Sequence, residues 1–164
     1  MLSRMQPSPD ATTADLPTTT PSATPAHLGW RLLAITYDLL PLMALWFATS
    51  GVELLIAHGR TSDELGAWTR WLVLGLLWLV TGAYMVVSWR RGGATLGMRA
   101  WRLKVLAADG RPASLRALCL RYAVATISLF AAGLGFVWSL FDRERQCWHD
   151  IASGTRFVRM DRAG

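Results

Sequence analysis

The sequence predicts an all-α membrane protein. It should have two full transmembrane helices, a C-terminal membrane helical hairpin (or one long third helix), and a small two-stranded surface sheet. Three observations lead there. Residues 71–89 and 122–141 carry no charge, and neither do residues 39–52. The first two stretches approach the roughly 20 apolar residues that cross a bilayer as a helix. Overall 52% of the 164 residues are hydrophobic and 17% charged, against about 25% charged in a soluble domain. Such a chain is not disordered, collagen-like or a typical soluble enzyme, and it has room for one small membrane domain.

Residues 1–27 are rich in Thr, Pro, Ser and Ala without apolar periodicity. They cannot bury enough apolar surface to offset their ordering entropy, so a disordered tail is expected. No apolar core follows a basic start, so the segment does not read as a secretory signal.

The first apolar segment runs over about 28–57, with Arg31 and Asp38 early and Glu53 late. Pro41 inside it removes one amide and frees the carbonyl of Tyr37, beside Asp38. Arg31 and Asp38 are seven apart, so they share one helix face about 10 Å apart along the axis, with Ala34 between them. An Asp at the centre of a span costs about 2.5–3.5 kcal/mol on insertion scales and calls for a partner. The pair therefore reads as an ion or proton site, or as a buried polar bolt that sets helix packing. Glu53 falls near the far interface.

The second segment, about 67–89, has Trp68 and Trp71 at one end and Trp89 at the other, as in an interfacial aromatic belt. Gly92 and Gly93 then end the helix. Basic and apolar residues alternate from Trp101 to Ala107 and again from Arg156 to Met160, which is strand-like. Asp109-Gly110 supplies a turn. The two strands should pair at the membrane surface, supported by the helices, because a lone hairpin is marginal in water.

The third apolar stretch, Ser114 to Phe141, has a hinge near Ala131 to Gly135. The connection 90–116 holds seven cations against one anion, and the tail 142–164 holds five cations against four acids. Cytoplasmic flanks are enriched in Lys and Arg. A hairpin would put both regions in the cytoplasm; one continuous span would separate them. The hairpin is preferred, which makes both termini cytoplasmic and turns residues 58–66 outward.

The net charge of +6 suits nucleic acid or a membrane surface. The cations flank the apolar stretches, so the expected partners are the bilayer and a second copy or membrane partner, not nucleic acid. Cys119 and Cys147 are expected to be reduced. Cys147, His149 and Asp150 lie together, but one short cluster without a second ligand pair does not make a zinc site. No metal, no cofactor and no enzymatic constellation is expected. Residues 93–99 lack the Gly-Lys-Ser/Thr ending of a phosphate loop and read as the turn into the sheet.

In order, these residues resemble the RDD family of membrane proteins, named for one arginine and two aspartates. The resemblance runs through Arg31, Ala34 and Asp38, then Thr95-Leu96-Gly97, the strand 102–107 and Asp109-Gly110-Arg111-Pro112. It continues through Arg116, Leu118 and Arg121 to Gly133-Leu134-Gly135, Phe141-Asp142, Gln146, His149-Asp150 and Gly154-Thr155. It implies an RDD-like transmembrane domain over 28–160, followed by a short end at 161–164. Arg31 would be the family arginine and Asp38 the first aspartate. Asp150 fills the second aspartate position, with Asp142 as the alternative and His149 and Arg121 as supporting residues. The family usually has lysine after the Thr-x-Gly turn; here Met98 stands there and Arg99 follows. The resemblance implies a bacterial inner-membrane location, and ion or small-solute transport has been suggested for the family. The alternative is a structural or accessory protein whose buried charges fix helix packing.

Overall fold

The computed structural model describes residues 23–61 and 64–160. Helices α1 (Leu28–Ile56) and α2 (Ala67–Gly92) are the two helices long and apolar enough to cross a membrane. Both are almost wholly apolar along their middles, and there they bury very little. Leu40, Phe47 and Trp68 are each more than 70% exposed. Patches of that extent in water mark a surface that something apolar must cover, and a bilayer covers helices of this length. Helix α1 runs unbroken through Pro41.

Polar bonds join the bundle where the helices meet. Trp46 Nε1 donates to Thr81 at 2.8 Å, Trp78 Nε1 donates to Thr126 at 3.1 Å, and the Tyr122 hydroxyl donates to the Trp78 carbonyl at 2.8 Å. Such bonds hold helices together where the apolar driving force is weak.

Between α2 and the sheet lies a short helix, α3 (Leu96–Ala100), which Thr95 caps by accepting from the Met98 amide. Helix α4 (Leu115–Phe130) is capped by Ser114 in the same way. It ends at the expected hinge. Ala132 and Gly133 take positive φ angles of 53° and 76°, and the chain bends by 108° into α5 (Leu134–Val137) and the 3-10 turn Trp138–Leu140. Helix α6 (Trp148–Ser153) then packs back on α4.

The sheet corrects the expectation of two strands: it has three, in the order β1-β3-β2. Strands β2 (Leu103–Ala107) and β3 (Thr155–Met160) pair antiparallel as their alternation predicts, with Val105 opposite Phe157. The added strand is β1 (Ala23–Pro25), which pairs with Val158–Met160 of β3. The tail assigned to 1–27 therefore gives up Ala23–Pro25 to the sheet and His27 to the N-cap of α1; residues 1–22 and 161–164 lie outside the described residues. Three residues are too few for periodicity to reveal a strand.

The buried core sits where the sheet meets the ends of the helices, not in the middle of the bundle. Ala34, Val86, Met98, Leu103, Val105, Leu118 and Phe157 form it. The start of α1, the end of α2, the start of α4 and the sheet thus share one end of the molecule.

Candidate functional site

Two buried polar clusters occupy that shared end. The first is centred on Asp150, the third residue of α6. Its side chain turns back to accept from the Cys147 amide at 3.0 Å, closing the first turn of the helix. The same carboxylate accepts from two arginines. Arg31 Nη1 donates to Oδ2 at 2.6 Å, and Arg121 Nη1 donates to Oδ1. Arg121 also donates to the Thr155 hydroxyl at 2.6 Å, and Arg31 Nη2 donates to the Arg145 carbonyl at 3.1 Å. All three ionic side chains are at most 5% exposed.

Two cations against one anion leave a surplus positive charge in a buried place. Aromatic faces take it up. The Phe157 ring lies 4.4 Å from the Arg31 guanidinium carbon and 5.8 Å from that of Arg121, and Trp89 lies 5.3 Å from Arg121. Burial alone would raise the Asp150 carboxyl, but Arg121 and Arg31 outweigh it and hold it well below the usual carboxylate range.

His149 lies beside this cluster, tilted against Phe136. Burial first, then the charge on Arg121, lower it to about 3, so it is neutral at physiological pH. Its Nδ1 and the Ser128 hydroxyl are buried with no partner among the described residues. The ligating atoms of Cys147, His149 and Asp150 lie within 4.8 Å of one another. The donor set does not suit a metal, because both Asp150 oxygens already accept and two guanidinium groups would face the ion.

The second cluster is centred on Asp38. Oδ1 accepts from the Tyr84 hydroxyl at 2.8 Å and from the Gly97 amide at 2.9 Å, and Oδ2 accepts from the Thr95 hydroxyl. A carboxylate from α1 thereby caps α3 from outside, where amides are otherwise unmatched. The approach is close. A Cβ on Gly97 would collide with the Ala34 carbonyl and would stand 2.9 Å from both Asp38 Cγ and the Asp38 amide nitrogen. This explains the glycine at 97.

Arg31, Ala34, Asp38 and Leu42 are the buried residues of α1, as the seven-residue spacing requires. The two charges share a face but take different partners: Arg31 goes to Asp150 and Asp38 goes to α2 and α3. Asp142 joins neither cluster. Its carboxylate accepts from the Glu144 and Gln146 amides and closes a local turn. Sequence reasoning missed Tyr84, Thr155 and Phe157 as partners; only burial and the fold bring them in. Of Thr95-Leu96-Gly97 it saw the pattern but not the carboxylate that the pattern serves.

A family model described as the RDD family matches residues 25–154. The chain belongs to the RDD family. No curated protein and no solved structure matches it. The RDD match begins at Pro25 of β1 and ends at Gly154, so it takes in the charged residues of both clusters, Arg31, Asp38, Arg121 and Asp150, while their partners Thr155 and Phe157 lie just beyond it.

At the opposite end of α1 and α2, where the RDD motif residues are absent, lies an open cleft of about 670 Å³. It is mostly apolar, with Thr49, Glu53, His58, Arg60 and Thr69 as its polar lining. Glu53 Oε1 is buried there without a partner among the described residues.

Proposed function

We propose that this protein is a multi-pass component of the bacterial inner membrane whose motif charges fasten a small surface platform to the helix bundle. In this reading its role is structural or accessory, without enzymatic activity. The observation that carries it is that no oxygen of either carboxylate is left without a donor. All four carboxylate oxygens of Asp38 and Asp150 already accept hydrogen bonds from groups on other elements or from their own helix cap. A group that binds and releases an ion must give such bonds up in each cycle, and breaking a buried pair by removing one partner costs about 3–5 kcal/mol.

The same reading places β1, the connection 93–114 and β3 in the cytoplasm, and residues 58–66 outside. Pairing of β2 with β3 supports it, since it joins the two basic regions that one continuous third span would separate. Helix α4 and the segment Leu134–Leu140 then form a hairpin that returns to the face it left. With membrane-impermeant maleimide on intact cells, Thr61→Cys should label and Glu144→Cys should not. Labelling of Glu144→Cys from outside overturns the hairpin.

Ion or small-solute transport is the second reading, and Glu53 favours it: a half-buried carboxylate with one orphaned oxygen faces an open cleft. Purified protein in liposomes separates the two. The structural reading expects no cation flux above protein-free liposomes and a lowered melting temperature for Asp38→Asn. Flux that Asp38→Asn abolishes at an unchanged melting temperature overturns it.

A further inference from the structure

The mechanism of packing described above leaves a group of cations unused. Arg90 and Arg91 are exposed in the last turn of α2, and Arg99 is exposed on α3. Among the described residues, no carboxylate pairs with any of the three; in the whole stretch 90–116 only Arg111 has an anionic neighbour, Asp109 at 3.9 Å. The helix dipole offers them roughly half a negative charge at the end of α2, which leaves most of three positive charges without compensation.

Arg99 is also held in a particular place. Its Nη2 lies 2.7 Å from where a Cβ on Gly92 would be, with Cζ at 3.6 Å and Nε at 3.8 Å. The guanidinium thus rests against the bare backbone of Gly92, directly after Arg90 and Arg91. Leu96, three residues before Arg99 and on the same side of α3, is 58% exposed. An apolar edge stands next to a cationic one. A helix of 26 residues such as α2 is about 39 Å long and outreaches a hydrocarbon core of about 30 Å. Its last turn therefore reaches the headgroup level, where exposed leucine meets acyl chains and arginine meets phosphate.

We propose that Arg90, Arg91 and Arg99 form a binding site for the phosphate-bearing headgroup of an anionic lipid, with Gly92 as the flat floor that sets Arg99 and Leu96 as the contact to the acyl chain. The arginine after Met98 then has a task of its own, and it need not substitute for the family's usual lysine.

The test uses the full chain, purified in a neutral detergent, with lipid binding followed by native mass spectrometry. Phosphatidylglycerol should bind at least about tenfold more tightly than phosphatidylcholine of the same chains, and Arg99→Gln should weaken it about fivefold. Gly92→Ala should weaken it similarly at an unchanged melting temperature, because only the flexible tip of Arg99 has to move. Should Arg99→Gln fail to fold, the Arg90→Gln/Arg91→Gln pair carries the same expectation. Arg111→Gln should leave binding unchanged. Equal losses in Arg111→Gln mean diffuse attraction and overturn the site. Displacement of the lipid by equimolar inorganic phosphate overturns the lipid as its occupant.

Discussion

Arg31 and Asp150 are 119 residues apart in the chain, and their side chains meet at 2.6 Å. The pair closes the fold from its first helix to its last, and Arg121 shares the same carboxylate. Replacing Asp150 with Asn leaves two buried guanidinium groups without a countercharge. The expected loss is about 3–5 kcal/mol, or a fall in melting temperature on the order of 10 °C for a chain of this size. Thermal unfolding in detergent measures it. Arg31→Gln combined with Asp150→Asn should lose less than the two single losses added together, since the residues are in contact. Full additivity would deny the coupling.

Gly97 is where α3 meets α1. An alanine there drives its Cβ into the Ala34 carbonyl and the Asp38 backbone, neither of which can move aside as a side-chain tip can. Gly97→Ala should cost about 1–3 kcal/mol through overpacking. Gly29→Ala, with nothing within 4 Å of the added carbon, should stay within about 0.5 kcal/mol of the wild type. Equal melting temperatures for the two variants would remove the close contact from the account.

Stability should fall in acid, starting well above the ordinary carboxylate range. His149 protonates near 6.5 in the unfolded chain but only at about 3 in the folded one, where burial and then Arg121 oppose its charge. Below pH 6.5 the unfolded state therefore binds more protons, and stability drops as pH falls towards 3. Asp150 adds to this in the same direction below its unfolded value of 3.8, because the arginines keep its folded form ionised to lower pH. Melting temperature measured from pH 7 to 4 should decline in the wild type and decline less in His149→Gln. Parallel curves would show that His149 contributes nothing to the slope.

Cys147 is fully buried at the start of α6, and burial pushes its thiol up, away from the reactive thiolate. In a Cys119→Ser background it should resist a small maleimide at pH 7.5 and react fully once the chain is unfolded. Rapid labelling of the folded protein would place the loop before α6 in an open state.

The elements that the sequence made legible are those whose signal is local. The limits expected for the two spans, about 28–57 and 67–89, fall within a few residues of α1 and α2, since apolar runs and flanking charges announce them. Alternation revealed β2 and β3, and Gly133 announced the hinge. The site was half legible. Spacing put Arg31 and Asp38 on one buried face, but partners such as Asp150, Tyr84 and Thr95 lie 119, 46 and 57 residues away from the groups they satisfy. No local period carries that information. The strand β1 escaped for the opposite reason: at three residues it is shorter than any pattern that could mark it.

The distance in sequence between Arg31 and Asp150 has a consequence for how the protein is made. The first helix emerges from the ribosome with Arg31 uncompensated, and its counter-ion is not synthesised until Asp150, 119 residues later. At typical elongation rates of about 5–20 residues per second this delay is on the order of ten seconds. A chain cut short before α6 never acquires the counter-ion or the strand that clamps β1 to β2, so the buried charge cluster and the sheet both wait for the last residues to be made.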